Sequence, residues 1–306
     1  MKFADIKNDI AFRKIFGNEN RKDSLISFLN AVLKFENEQR IQSVRILDPY
    51  QLPKLKSGKA TIVDVKATDQ AGRNFIVEMQ VAEKDGFDKR VLYYFSKAYS
   101  SQIKRGDQYR KLQPIYFIGI LNYEFTKNKD FISRSQITDV ETGEQTFKDV
   151  EFTLIELPKF RKKRNKPQSL VDKWVHFIKN AENLTVIPDD IDDIGLKSAY
   201  EEANQHLWTD LELEAYDKLF MKEEDDRAAL DKAKEKGKME GLLEGKMEGL
   251  LEGKMEGLLE GKMEGELYKS MEIAQKAIAK GFDNAMIADL TGLSMESIEN
   301  LRNKKK

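Results

Sequence analysis

Apolar residues at helical spacing open the chain. Ile6, Ile10, Phe12, Ile15 and Phe16 form one stripe and Leu25, Ile26, Phe28, Leu29 and Leu33 a second, with Gly17 and Asn18 between them. From Ser43 the period shortens to two. Residues 43–48 (SVRILD), 60–68 (ATIVDVKAT) and 73–81 (RNFIVEMQV) are rich in β-branched side chains and predict strands. The last two are joined by Asp69, Gln70, Ala71 and Gly72, a turn-forming connection, so they are expected to pair as a hairpin. Helical spacing returns over 87–105, and the nearly all-apolar run 114–123 (PIYFIGILNY) suits a strand covered on both faces. Further strands are expected at 131–138 and 150–157. Helices, a β-meander, a helix and more strands, in that order, predict an α/β or α+β domain ending near Leu157, with residues 1–166 assigned to it.

The second half reads differently. Lys159 to Lys166 (KFRKKRNK) places six basic residues in eight before Pro167; a solvated linker is favoured over a phosphate-contacting patch. Residues 167–236 are helical in pattern and increasingly acidic. GKMEGLLE then occurs at 237–244, 245–252 and 253–260, followed by GKMEGELY at 261–268. Eight helical residues turn through about 800°, so successive copies are offset by about 80°. Met239, Met247, Met255 and Met263 therefore cannot line one face, which excludes a heptad coiled coil. Glycine at every fourth position from Gly237 to Gly265 disfavours helix by about 1 kcal/mol each relative to alanine. Residues 237–266 are expected as a marginal helix or flexible tether, with Gly-x-x-x-Gly helix association as the alternative. In residues 267–306, Ile287, Ala288, Thr291, Gly292, Leu293, Ser294, Ile298 and Leu301 predict helix, glycine turn and capped helix, resembling a helix-turn-helix. Glu296 and Glu299 would confront phosphates, so protein contact fits this module as well as DNA reading, despite Lys304 to Lys306.

Composition narrows the chemistry. With no cysteine, thiolate metal sites, disulfides and Cys nucleophiles are excluded, and only His176 and His206 are available as imidazoles. Carboxylates and lysines must carry any catalysis. The N-terminus lacks a secretory layout and no apolar run is long enough to span a bilayer, so the expected location is the cytoplasm. The net charge of -1 conceals an asymmetry: residues 1–167 hold 32 basic and 22 acidic side chains, a surplus of +10, which suits a polyanion.

Strand alternation puts Asp64 and Lys66 on one face of the first hairpin strand and Asn74, Ile76, Glu78 and Gln80 on one face of the second. A turn near Ala71 then sets Asp64 roughly opposite Glu78. Two carboxylates facing each other among Ile, Val and Phe repel, so a cation is expected between them. A divalent metal on Asp64 and Glu78, with the Met79 carbonyl as a further oxygen, resolves the repulsion and can activate a water. Lys66 is the alternative, neutralising the pair structurally.

Asp64, a short hairpin and Glu78-x-Gln80 resemble the PD-(D/E)xK phosphodiesterase core. NDIAFRKIFGN at 8–18, VDVKATDQAGRNFIVEMQ at 63–80 and YYFSKAYSSQIKRGDQY at 93–109 together resemble the Rpn family of recombination-promoting nucleases and transposases. The resemblance covers about the first half of the chain, and that family often carries Glu/Lys/Gly-rich repeats further on. It implies a restriction-endonuclease-like α/β core with an α-helical C-terminal extension, and cleavage of DNA with Mg²⁺ or Mn²⁺ held by Asp64 and Glu78. Gln80 stands where the superfamily usually has lysine; a neutral amide orients water but supplies no charge, and Lys66 is the candidate to supply it. Asp9 is a candidate third acid, or a helix-terminal carboxylate. On the helix after the hairpin, Arg90, Tyr93, Lys97, Ser101 and Lys104 form a stripe suited to phosphates, with Tyr99 and Gln102 expected to flank the site. The expected function is a DNA endonuclease of recombination, transposition or mobile-element defence. The rival is a catalytically decayed DNA-binding or oligomerisation protein, and self-assembly is left open.

Overall fold

The two opening stripes become α1 (Asp9–Phe16) and α2 (Asp23–Leu33). The computed structural model describes residues 1–48, 50–51, 61–161 and 169–303. Asn8 caps α1 by accepting the Ile10 N–H at 3.0 Å. Both helices bury their apolar sides, Phe12, Ile15, Phe16, Leu25, Phe28 and Leu29 all being fully covered. Next come β1 (Val44–Leu47), then β2 (Tyr50–Gln51) and β3 (Thr61–Ile62), which pair with each other. The hairpin follows as β4 (Val65–Asp69) and β5 (Asn74–Gln80), closed by Gly72 at φ 83°, a left-handed conformation that glycine adopts without steric cost. α3 (Phe87–Ser101) crosses to β6 (Ile115–Leu121), and β7 (Ile132–Gln136) and β8 (Val150–Glu156) complete the strands.

Six strands lie in the order β1-β4-β5-β6-β8-β7. β5, β6 and β8 run parallel, and the pairs outside them are antiparallel. One face carries Val65, Ala67, Phe75, Val77, Ile118 and Ile155, packed on α1 and α2; the other carries Ile76, Ile115, Phe117 and Leu121 beneath α3. The central strands are thus covered on both sides, which is why the run around Ile115–Leu121 is apolar throughout. The mixed α/β sheet with helices on both faces matches the expected fold class.

The expected boundary after residue 166 does not separate two cores. α4 (Leu170–Asn180) and α5 (Ile194–Ala203) belong to the same core as α1 and α2, through rings that touch in series. Phe16 meets Trp174 at 5.6 Å between centroids, Trp174 meets Phe177 at 5.9 Å, and Phe177 meets Tyr200 at 4.5 Å. α2 and α5 approach so closely at Gly195 that a Cβ there would lie 2.3 Å from the Asp23 carbonyl oxygen. The compact unit accordingly runs from Met1 to Glu223, because the face of the sheet under α1 and α2 needs the apolar sides of α4 and α5 to close it. Within the basic tract, Lys159, Phe160 and Arg161 are described and residues 162–166 lie outside the described residues; Lys159 pairs with the buried Glu156 at 2.7 Å.

A second unit, Glu224–Lys306, contains most of α6 (Asp210–Ala279), then α7 (Asn284–Thr291) and α8 (Met295–Asn303). The end of α6 packs on α7 and α8 through Ala274, Ala277, Ile287, Leu293 and Ile298. Gly292 at φ 70° ends α7 and Ser294 caps α8 by accepting the Ser297 N–H at 3.2 Å, the helix, glycine turn and capped helix read from the sequence. Lys304 to Lys306 lie outside the described residues. Of the two forms expected for the octapeptide repeat, the structure takes the helical one. Its Met and Leu side chains are exposed all round, as the 80° offset requires, and a Cβ on any glycine from Gly237 to Gly265 would meet nothing within 4 Å. Replacing Gly241, Gly245, Gly249 and Gly253 by alanine should therefore strengthen this helix by about 0.5–1 kcal/mol per site without a clash. Circular dichroism at 222 nm should show more helical signal surviving to higher temperature; an unchanged melting curve would contradict the helical form.

Candidate active site

The hairpin register places the two acids. Val65 pairs with Val77 and Lys66 with Ile76, so one further step sets Asp64 against Glu78. The chain bends at Asp64, and Val63 lies in the core under α3 whereas Val65 lies in the core on the other face. Because the bend interrupts the ladder, side chains take over its end. The Asp64 N–H donates to Glu78 Oε1 at 3.3 Å, and the Met79 N–H donates to Asp64 Oδ2 at 2.9 Å. Each carboxylate is held by the backbone of the other strand, at the end where β5 and β6 point their C-termini.

Three further groups converge on this pair. α1 carries Arg13, whose Nη2 donates to Asp64 Oδ1 at 3.2 Å, and Asp9 one turn earlier on the same helix face. The third is Gln80, whose Nε2 donates to Glu78 Oε2 at 3.3 Å and to the Met79 carbonyl at 2.9 Å, while its Oε1 accepts from Arg90 of α3. Gly119 lies beside Glu78 on β6, and a Cβ there would press on Leu154 at 2.9 Å. The neighbouring strand thus adds no side chain at that point.

The electrostatics are those of crowded acids. Burial pushes the Glu78 carboxyl well above the usual carboxylate range and nearby Asp64 pushes it further, against the Asp64 N–H and Arg90, which favour the ionised form. Burial also raises Asp9, with Asp64 adding to it and Arg13 and Lys84 opposing. Tyr94 is raised by burial and by Glu78. Three acids thus feel one another, with Arg13, Lys84 and Arg90 opposing them.

The chain matches the family described as PD-(D/E)XK nuclease family transposase over residues 6–233. It belongs to that family. No curated protein and no solved structure matches the chain. Membership gives it a nuclease- or transposase-related function, and the matched span takes in every helix and strand from α1 to α5. Nucleases of the PD-(D/E)XK type use a divalent cation. The donors present suit one, being hard carboxylate oxygens whose mutual repulsion a cation would relieve. Among the described residues no three His, Asp or Glu form a ready ligand group.

Other residues expected at the site are distributed unevenly in this PD-(D/E)XK family member. Asp9, Asp64, Glu78, Gln80 and Arg90 are brought together. Lys66 is not: burial lowers its pKa, among the described residues the charge acting on it is Asp48 just past β1, and the cations beside the pair are Arg13 and Arg90. Tyr93 is on the exposed side of α3 with the Lys97 ammonium 5.9 Å from its ring centroid; Tyr94, one residue on, is the tyrosine beside Glu78. Ser101 ends α3, and Lys104 lies beyond it, its N–H donating to Asp107 at 2.8 Å. Tyr99 and Gln102 do not flank the carboxylates. Tyr99 donates to Asp149 at 2.7 Å, and Gln102 exchanges hydrogen bonds with the backbone of Gln113 at 2.9 and 3.0 Å, just before β8 and β6 begin. They brace the opposite end of the sheet. Arg13 was not singled out from sequence, although its spacing of four from Asp9 places it on the same helix face.

Because the folded protein favours protonated Glu78, it binds more protons there than the unfolded chain. Metal-free stability from this group is therefore present below the usual glutamate pKa and is lost as pH rises toward the raised value. In chelator, Glu78→Gln should melt at a higher temperature than wild type at pH 8, with the gap closing toward pH 4.5. Thermal melts in which wild type equals or exceeds the variant at pH 8 would contradict the buried repulsion.

Proposed function

We propose that this protein is a metal-dependent DNA endonuclease that hydrolyses phosphodiester bonds. The observation that carries the reading is the pair Asp64 and Glu78, set opposite each other at a strand end and made costly by burial, in a chain of a nuclease family. Asp64 and Glu78 would hold Mg²⁺ or Mn²⁺, with Asp9 close enough to add negative charge. The cation would supply Lewis-acid activation of water and of the scissile phosphate. Gln80 would act on that water through Glu78, its amide being tied to Glu78, the Met79 carbonyl and Arg90. Water is the nucleophile in this reading, and hydrolysis proceeds without a covalent enzyme intermediate.

DNA as the partner is supported by the family and by the surplus of basic residues in the first 167. On α3, Lys97 and Tyr93 would meet phosphates, with Lys104 beyond the helix. Among the described residues no helix is long and apolar enough to cross a membrane. The setting inferred is the cytoplasm, in recombination, transposition or defence against mobile elements, as in the Rpn family.

Purified protein should nick supercoiled plasmid with Mg²⁺ or Mn²⁺ and not with chelator. Asp64→Ala or Glu78→Ala should reduce nicking by at least 100-fold while leaving the melting temperature equal or higher, since one repelling charge is gone. Nicking that persists in either variant would overturn the site. DNA binding without cleavage by wild type would support the non-cleaving alternative that Gln80 suggests.

A further inference from the structure

The superfamily lysine is absent at position 80, and the structure shows what stands near its place. Gln80 ends β5 with its amide divided between two tasks: Nε2 reaches Glu78 Oε2 at 3.3 Å and the Met79 carbonyl at 2.9 Å, and Oε1 receives the Arg90 guanidinium. The guanidinium is also fixed from below, lying 5.5 Å from the centroid of the Phe87 ring. Phe87 in turn is buried over Gly119, the residue beside Glu78, where a Cβ would come within 3.7 Å of the ring. The start of α3 is thereby seated on the strand that neighbours the acids, and Arg90 projects from its first turn to the end of β5.

We propose that Gln80 and Arg90 act as one unit, in which Arg90 is a positioning residue that brings to Glu78 the positive charge a lysine at position 80 would carry. The amide alone is neutral. Bound to the guanidinium, its Oε1 is occupied, so its N–H groups are left pointing at Glu78 and its surroundings. The fork of Arg90 has donors beyond the one given to Gln80, and these suit a phosphate oxygen. Among the described residues Lys66 has no hydrogen bond or ion pair with either acid, whereas Arg90 bonds the Gln80 amide that reaches Glu78.

The inference rests on the nuclease reading, and two readouts separate them: plasmid nicking, and Mn²⁺ affinity by calorimetry on the full chain. Arg90→Ala should slow nicking at least 100-fold yet bind Mn²⁺ as tightly as wild type or up to about tenfold tighter, because a cation has been removed beside the acids. Adding Gln80→Lys to Arg90→Ala should restore nicking at least tenfold, whereas Arg90→Lys, shorter and without the fork, should restore less. Nicking by Arg90→Ala within threefold of wild type would overturn the proposal, as would failure of Gln80→Lys to rescue it. Mn²⁺ binding weakened more than threefold in Arg90→Ala would show a merely structural role and also overturn it. A wild type that nicks nothing would sink the nuclease reading instead, and the calorimetry would still decide on the pair.

Discussion

Two carboxylates held face to face at the end of a hairpin are the constraint on which the site depends. Like charges directly across an antiparallel pair are unfavourable, and burial multiplies the cost. Asp64 and Glu78 are kept there by the strands themselves: each accepts a backbone N–H from the opposite strand. Neither strand can slip to relieve the repulsion. Val65, Ala67, Phe75 and Val77 are committed to one core and Ile76 to the other, and a shift of one residue would exchange those faces. Apolar packing thus enforces an electrostatically costly arrangement, which is what makes the pair a candidate site.

That central feature was legible in the sequence because a hairpin is local. The turn at Gln70 to Gly72 and the alternation on either side determine which residues face each other, so the opposition of Asp64 and Glu78 follows by counting. The all-apolar run around β6 and the glycine turn between α7 and α8 were legible for the same reason. Features that depend on distant packing were not. Arg13 reaches Asp64 across 51 positions, and only the docking of α1 on the sheet brings it there. Whether Tyr93 or Tyr94 faces Glu78 depends on the rotation of α3 about its axis, which Phe87 and Gly119 set. The basic tract looked like a boundary, yet Trp174, Phe177 and Tyr200 beyond it fill the same core as Phe16 and Phe28.

Gln80 marks where the chain departs from its superfamily, and its surroundings show how the departure is accommodated. Lysine would bring charge to the pair from the strand. Here charge comes from two helices, Arg13 on α1 and Arg90 on α3, leaving the strand position to a side chain that only donates and accepts hydrogen bonds.

The claim that the opposed carboxylates exist to take up a cation is tested most directly by seeing one. Crystals of the full chain soaked in Mn²⁺ and measured at the manganese absorption edge should give an anomalous peak within ligand distance of both Asp64 and Glu78, with the Arg13 guanidinium displaced from or sharing Asp64. No peak at the pair, with Arg13 still on Asp64 and Mn²⁺ bound elsewhere or nowhere, would contradict the account.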